Sequence, residues 1–357
     1  MAQMKRNGYI DITKFIFAIL IMLFHFGSDV LKGGYLAVEG FFMITGFFMM
    51  KSVEKSNSAE PTGVSTVKFM YRKYKSLLPM LFVSAAVGFV LYVIIKEQDF
   101  TTVFKNFWLI LFEIFPLQTA GFKDGYYVIG ISWYLSSMFI ALAILFPLAK
   151  KFKRNFVLVI CPLLTVLCYG IIAAKYGMIG GVAKKLIEGT ILQQGIIRAL
   201  AGCSLGCILS EIVKKVGGCE YTKLARIVFT VLELSALGFI IYFMRDFYYS
   251  KFDFVVVILL FGMLIIGIGG LSYTSNLWNP KWAKHFGTAS TLMVLNHCYW
   301  CNFIKLKLND LTMNQKMLVY LGLVAVTCVV VFFLSKLLTI GVNKLLKKEL
   351  WIKQPSN

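Results

Sequence analysis

Long apolar runs, separated by short polar and basic segments, recur from one end of the chain to the other. Most of the runs approach or reach the roughly 20 residues that an α-helix needs to cross a bilayer. They are continuously apolar, whereas barrel strands alternate apolar and polar positions over about ten residues. The pattern therefore predicts an all-α polytopic membrane protein with ten membrane-spanning helices, at residues 12–27, 35–50, 77–95, 132–148, 156–174, 191–213, 225–244, 254–272, 288–304 and 317–339.

A further apolar patch, at residues 107–117, is too short to cross the bilayer and contains Glu113 and Pro116. If it crossed, the basic cluster at residues 150–154 would lie outside, although lysine and arginine are enriched in cytoplasmic loops. We therefore predict a re-entrant or interfacial segment here. With that assignment both termini are expected to be cytoplasmic.

Composition agrees with this organisation and excludes a soluble protein. The 357 residues are 59% hydrophobic, with a mean hydropathy of +0.76. A formal charge of +20 would suggest nucleic-acid binding in a soluble chain, but these lysines fall between apolar runs, where the positive-inside rule accounts for them. The longest polar stretch, at residues 51–75, is read as a basic loop and is too short for a separate domain. We predict a single transmembrane domain at residues 1–342 and a short basic cytoplasmic tail at 343–357.

Four ionisable groups interrupt the first two apolar runs: Asp11, Lys14, His25 and Glu39. A charge at the centre of a spanning helix costs about 3 kcal/mol on insertion scales, so such groups usually face a protein interior or a water-filled cavity. We favour a functional role for His25 and Glu39. The structural alternative is that Lys14 extends its ammonium to the interface and His25 makes an interhelical hydrogen bond.

Helical geometry places Lys14 and His25 on one face of the first span, because eleven residues make about three turns. The two positions are then about 16 Å apart along the helix axis. His25 lies near the outer end of the first span and Glu39 near the outer end of the second, so we expect these side chains to meet. Arg72 and Lys75 lie at the cytoplasmic end of the third span.

Two later spans also carry polar groups. Arg198, in the span at residues 191–213, is expected to face the interior of the bundle. Asn296 and His297 lie in the outer half of the span at residues 288–304. They either join the cavity of the first two spans or make structural hydrogen bonds.

The eight cysteines lie mostly within apolar runs and form neither a disulfide framework nor a regular ligand pattern. Cys298 and Cys301 follow His297 and look like a redox or metal motif. Within a helical span such residues are more often packing residues. No metal site is predicted.

Two sequence segments near the start of the chain combine these groups into longer patterns. The first, DITKFIFAILIMLFHF, places ten residues between the basic Lys14 and His25. The second, GGYLAVEGFFMITGFF, begins with glycines, carries Glu39 and ends in a Thr45-Gly-Phe-Phe run.

Three further segments follow in order across most of the chain. FMYRKYKSLLP pairs Arg72 with Lys75 before a proline, ISWYLSSMFIALAILFP contains Trp133, and TASTLMVLNHCYW carries His297 near its end. With these five segments the chain resembles the membrane-bound acyltransferase-3 family, ten-span proteins that acylate glycans and other envelope acceptors. It departs from the family where Lys14 and Lys75 replace the usual arginines, since an ammonium is a point charge without bidentate geometry.

The resemblance implies an acyltransferase of the bacterial cytoplasmic membrane. Such an enzyme moves an acyl group, most often acetyl, from cytoplasmic acyl-CoA to a hydroxyl of an extracytoplasmic polysaccharide or glycan. Acyl-CoA is a co-substrate here, and no bound cofactor is implied. The basic residues expected to bind the donor are Lys14, Arg72, Lys73 and Lys75. Ordinary positive-inside charge and lipid headgroup contact are the alternative for the last three.

Acyl transfer to a hydroxyl requires a base for the hydroxyl proton, a group that orients the base, and donors for the developing oxyanion. His25 suits the first role because a neutral imidazole exists near neutral pH, and Glu39 suits the second. Candidates for the acceptor site or the oxyanion are Trp133, Asn296, His297 and Arg198.

A second class of function also fits the intramembrane charges. In a proton-coupled transporter or flippase of a small anionic or lipid-linked substrate, His25 and Glu39 would relay protons. An inactive scaffold derived from the enzyme family is a third reading. The five segments favour the enzyme, and they leave open the acceptor, the acyl chain and a covalent acyl intermediate.

Overall fold

The computed structural model describes residues 6–27, 30–120, 129–130, 132–180, 192–248, 250–278 and 280–349, with side chains except at 105, 106, 109 and 345–349. This part of the chain is helical and contains no strand, which confirms the predicted all-α membrane fold. Its α-helices are α1 (Gly8–Phe26), α2 (Ala37–Lys55), α3 (Thr62–Lys96), α4 (Phe100–Phe107), α5 (Leu111–Ile114), α6 (Ser132–Phe152), α7 (Cys161–Tyr176), α8 (Gln194–Val216), α9 (Lys223–Asp246), α10 (Asp253–Gly269), α11 (Pro280–Lys307) and α12 (Met313–Glu349).

Ten of these helices, α1 to α3 and α6 to α12, coincide with the ten predicted spans. Within the described ranges, eight segments are long and apolar enough to cross a membrane. The two others are α10, which is 17 residues long, and α11, which is 28 residues long but less apolar. The cytoplasmic placement of both termini stays a prediction.

The apolar patch at residues 107–117 folds as short helical turns. α4 has 8 residues and α5 has 4, and a 3-10 turn, Trp108–Ile110, joins them. The buried carboxylate of Glu113 accepts hydrogen bonds from the backbone N–H of Ile129 (3.1 Å) and the hydroxyl of Ser132 (3.3 Å). Glu113 therefore ties the short segment to the start of α6, which explains an acidic residue in an apolar patch.

The basic loop predicted at residues 51–75 is wrong. α2 continues to Lys55 and α3 begins at Thr62, so the connection has only six residues between them. α3 is 35 residues long, or about 52 Å at 1.5 Å per residue, which exceeds the roughly 30 Å hydrocarbon core. Lysine and arginine are good helix formers, so the basic stretch extends the helix instead of interrupting it.

A similar extension occurs at the last helix. α12 runs through the predicted domain boundary at residue 342 and ends at Glu349. The first part of the predicted basic tail is thus helical, and residues 350–357 lie outside the described ranges.

α2 packs closely against α8 because glycines lie at their contact. A Cβ atom on Gly46 would lie 2.0 Å from the carbonyl oxygen of Cys203, and one on Gly206 would lie 2.0 Å from that of Met43. These spaces admit no side chain, as expected of small residues at a helix–helix contact in a membrane. The close contact brings Arg198 of α8 to the first turn of α2.

Asp11, one of the four ionisable groups of the first two spans, is neutralised at the start of α1. Its carboxylate accepts two hydrogen bonds from the Arg6 guanidinium, at 2.6 and 3.0 Å. Gly287 of α11 packs directly on this pair, since a Cβ there would lie 2.1 Å from Asp11 Oδ1. Asp11 therefore has a structural partner and stays apart from the candidate site.

Candidate active site

A cavity of about 190 Å³ lies between α1, α2, α3, α6 and α11. Its walls are mainly apolar, and four of the residues predicted from the sequence line it: Lys14 and His25 of α1, Lys73 of α3 and Trp133 of α6. Lys14 and His25 thus share one cavity, as their common helical face predicts. The cavity connects two levels of α1 that are about 16 Å apart along the helix axis.

His25 is half-buried at the C-terminal end of α1, where its ring lies beside that of His297 of α11 and its backbone oxygen accepts a hydrogen bond from Lys305 (3.4 Å). The two ring centroids are 5.0 Å apart. His297 Nδ1 lies 3.0 Å from the carbonyl oxygen of Met293 and 2.8 Å from that of Val294. Because both neighbours are acceptors, Nδ1 carries the proton and Nε2 carries the lone pair, and Cys298 Sγ lies 3.2 Å from Nε2. His297 therefore lies beside His25, although it is not among the residues that line the cavity.

Glu39 is fully buried in the first turn of α2, where Arg198 of α8 and Tyr169 of α7 bind its carboxylate. The Nε–H of Arg198 donates to it at 2.5 Å, and the hydroxyl of Tyr169 donates a second hydrogen bond. The guanidinium also donates to the carbonyl oxygen of Tyr35, at 2.9 Å.

The expected meeting of His25 and Glu39 does not occur, since no ion pair or hydrogen bond joins them in the described structure. The physical reason is that α8 supplies a permanently charged guanidinium to the carboxylate, whereas α11 supplies the neighbour of the imidazole. Glu39 is also absent from the residues that line the cavity.

Arg198 connects this buried ion pair to the cavity wall. Its guanidinium carbon lies 5.6 Å from the centroid of the Trp133 ring, a cation–π contact. Trp133 also lines the cavity. Arg198 and Glu39 can therefore position Trp133, and neither side chain lines the cavity itself.

The four basic residues assigned to donor binding separate into two pairs. Lys14 and Lys73 line the cavity, whereas Arg72 and Lys75 are exposed on the surface of α3. Arg72 donates to the carbonyl oxygen of Lys68, at 3.2 Å. Since successive helical residues differ by about 100° in direction, positions 72, 73 and 75 of one helix cannot all face one cavity.

Asn296 is buried but does not line the cavity. Its amide donates to the carbonyl oxygen of Leu292 at 2.7 Å, and its Oδ1 accepts from the hydroxyl of Tyr299 at 2.6 Å. Both partners belong to α11, which supports the structural alternative for this residue.

Four polar residues of the cavity were missed as site candidates: Thr45 of α2, Tyr134 of α6, and Ser290 and Thr291 of α11. The Thr45 and Tyr134 hydroxyl oxygens are 3.5 Å apart. Their signals were weak, because hydroxyl groups in a spanning helix commonly bond their own backbone. Ser290 does so, donating to the carbonyl oxygen of Gly287 at 2.9 Å.

Comparison with protein families identifies the family of the chain. The family model described as "Acyltransferase domain" matches residues 7–336, which is most of the chain. The chain therefore belongs to the acyltransferase-3 family, and it is a multi-pass membrane acyltransferase. No curated protein and no solved structure matches it. Family membership favours the enzyme over the transporter, and it implies an acyl donor, an acceptor and a lipid bilayer as partners.

Proposed function

We propose that the protein transfers an acyl group, acetyl in the simplest case, from cytoplasmic acyl-CoA to a hydroxyl of an extracytoplasmic glycan of a bacterial envelope. The observation that carries this proposal is one cavity that is lined by the imidazole of His25 and by the ammonium groups of Lys14 and Lys73. His25 is the proposed base, and Lys14 and Lys73 are the proposed donor contacts.

The donor is anionic and ends in a neutral thioester. Lys14 and Lys73 are half-buried, so their charges attract phosphate more strongly than exposed lysines do in water. The apolar walls between these lysines and His25 suit the pantetheine arm and a short acyl chain. Acyl-CoA therefore docks its charged end at the lysines and presents the thioester carbonyl towards His25.

The acceptor hydroxyl reaches the same carbonyl from the side of His25. His25 takes the hydroxyl proton as the oxygen attacks, and a general base of this kind contributes about 10²- to 10⁴-fold to the rate. A C–O ester bond forms, the C–S bond breaks, and the CoA thiolate recovers the proton as it leaves. The imidazole of His297, whose ring centroid lies 5.0 Å from that of His25, is the group proposed to stabilise the transient imidazolium of His25, a role that Glu39 was expected to fill.

The oxyanion of the tetrahedral intermediate needs hydrogen-bond donors inside the cavity. The Tyr134 hydroxyl and the Thr45 hydroxyl both line the cavity and can donate. Trp133 forms part of the wall against which the acceptor packs, with Arg198 and Glu39 as positioning residues behind it.

The test is acyl-CoA-dependent release of free thiol by membranes supplied with envelope glycan. His25→Ala is compared with His285→Ala, a matched control in which an exposed histidine of α11 is removed. At equal protein levels we expect thiol release to fall at least about 100-fold in His25→Ala and to persist in His285→Ala. Unchanged thiol release in His25→Ala would exclude His25 as the base.

A further inference from the structure

His25 of α1 and His297 and Cys298 of α11 form a cluster of three metal-ligating side chains. One donor atom from each residue lies within 4.8 Å of the others. Cys298 Sγ and His297 Nε2 are 3.2 Å apart. Imidazole nitrogen and thiolate sulfur are the ligands that thiophilic divalent cations prefer.

The orientation of His297 is typical of a metal-binding histidine. Its Nδ1–H is held by backbone carbonyls, at 3.0 and 2.8 Å, so Nε2 points its lone pair into the cluster. Such hydrogen bonds to the distal ring nitrogen fix the tautomer of metal ligands.

The backbone also leaves room for the sulfur. Gly130 has a φ of +74°, and a Cβ built on it would lie 3.0 Å from Cys298 Sγ. Glycine adopts that conformation without strain, and it keeps the space beside the thiol open. Because His25 lines the cavity, an ion in the cavity can reach the two buried ligands beside His25.

We propose that His25, His297 and Cys298 bind a divalent cation of the Zn²⁺ class, with a fourth position open to the cavity. Bond lengths of about 2.0–2.1 Å to nitrogen and about 2.3 Å to sulfur place tetrahedral ligand atoms roughly 3.3–3.6 Å apart, so small shifts of the side chains bring the three donors to that spacing. The Cys298 S–H bond breaks as the metal–sulfur bond forms, and its proton passes to solvent. No electron transfer is involved.

Binding of the ion engages the His25 lone pair that the proposed acyl transfer requires. The ion and the hydroxyl proton therefore compete for the same nitrogen, and Zn²⁺ inhibits the enzyme reversibly. The inhibition rests on the proposed function, whereas binding of the ion does not.

Co²⁺ is the probe for binding, because a Co²⁺–thiolate bond gives a near-ultraviolet charge-transfer band. The full-length protein is purified in detergent and titrated with Co²⁺ in a Cys219→Ser background, since Cys219 is the exposed cysteine. Cys298→Ser is compared with Cys301→Ser, which removes a buried thiol of the same helix outside the cluster.

We expect the band in the Cys219→Ser protein and in Cys301→Ser, its loss in Cys298→Ser, and at least about tenfold weaker Co²⁺ binding in His297→Ala. A band that survives in Cys298→Ser, or no band in the parent protein, overturns the proposal. Circular dichroism on each variant verifies that its helices are intact.

The two proposals can fail separately. If Co²⁺ binds as expected but no acyl group is transferred, the metal site stands and the proposed function fails. If transfer occurs and EDTA-reversible inhibition by Zn²⁺ is equal in parent and Cys298→Ser, the metal site fails and the proposed function stands.

Discussion

At the residue scale, several ionisable groups in the described part of the membrane domain are explained by the partner that each one contacts. Asp11 binds Arg6, Glu39 binds Arg198, and His25 lies beside His297. Removing one member of a buried ion pair leaves the other charge buried without a partner, which destabilises the fold more than removing both members does. The ionisable groups of the bundle are therefore of two kinds: members of structural ion pairs, and groups that line the cavity.

The ion pair of Glu39 and Arg198 is predicted to be a structural unit that acts on the cavity through Trp133. Arg198→Ala leaves a buried carboxylate that, among the described residues, keeps the Tyr169 hydroxyl as its hydrogen-bond partner, and we expect about 3–5 kcal/mol of destabilisation. The double substitution Glu39→Ala with Arg198→Ala should cost less than the sum of the single ones. Unfolding in detergent measures the cycle, and strictly additive effects would contradict the pairing.

Lys73 and Lys75 give a matched pair for donor binding. Lys73 lines the cavity, whereas Lys75 is exposed on α3. A lost hydrogen bond to a charged phosphate costs about 1.5 kcal/mol, which is about tenfold in affinity. We expect Lys73→Gln to raise the KM for acyl-CoA about tenfold and Lys75→Gln to leave it unchanged. Equal effects of the two substitutions would assign the donor contact to general surface charge.

At the element scale, the fold was largely predictable because backbone groups in hydrocarbon must bond within their own helix. Ten apolar runs therefore became ten helices. The basic loop at residues 51–75 was predicted wrongly, because hydropathy identifies the apolar part of a helix that lies in the bilayer. α3 extends beyond its apolar part.

The site was only partly predictable for a related reason. Periodicity along one helix puts Lys14 and His25 on one face, but it carries no information on which helix packs beside another. The partners of Glu39 and His25, Arg198 and His297, come from helices far along the chain and depend on packing.

The contact between α2 and α8 is predicted to be intolerant of even a methyl group. Gly206→Ala places a Cβ against the Met43 carbonyl, so α2 and α8 must separate, and we expect about 1–3 kcal/mol of destabilisation. Gly262→Ala is the control, because nothing lies within 4 Å of its Cβ position in α10. The midpoint of thermal unfolding should fall in the first variant and stay level or rise in the second. A larger loss in Gly262→Ala would contradict the packing argument.

At the scale of the whole molecule, the proposed function requires the bundle to bring a cytoplasmic donor to an extracytoplasmic acceptor. A soluble enzyme cannot do so, because acyl-CoA does not cross a bilayer. In the proposed function, the cavity lined by Lys14, Lys73 and His25 is the place where both substrates meet. A multi-pass bundle around such a cavity meets this requirement.

The most direct test of this account is transfer across a sealed membrane. Proteoliposomes with the protein in a known orientation are loaded with labelled acyl-CoA on one side only, and the glycan is supplied on the other side. We predict labelled glycan when the donor is on the cytoplasmic side, none when the sides are exchanged, and none with His25→Ala. Equal labelling from either side, or labelling by His25→Ala, would contradict a cavity that joins two separated substrates at His25.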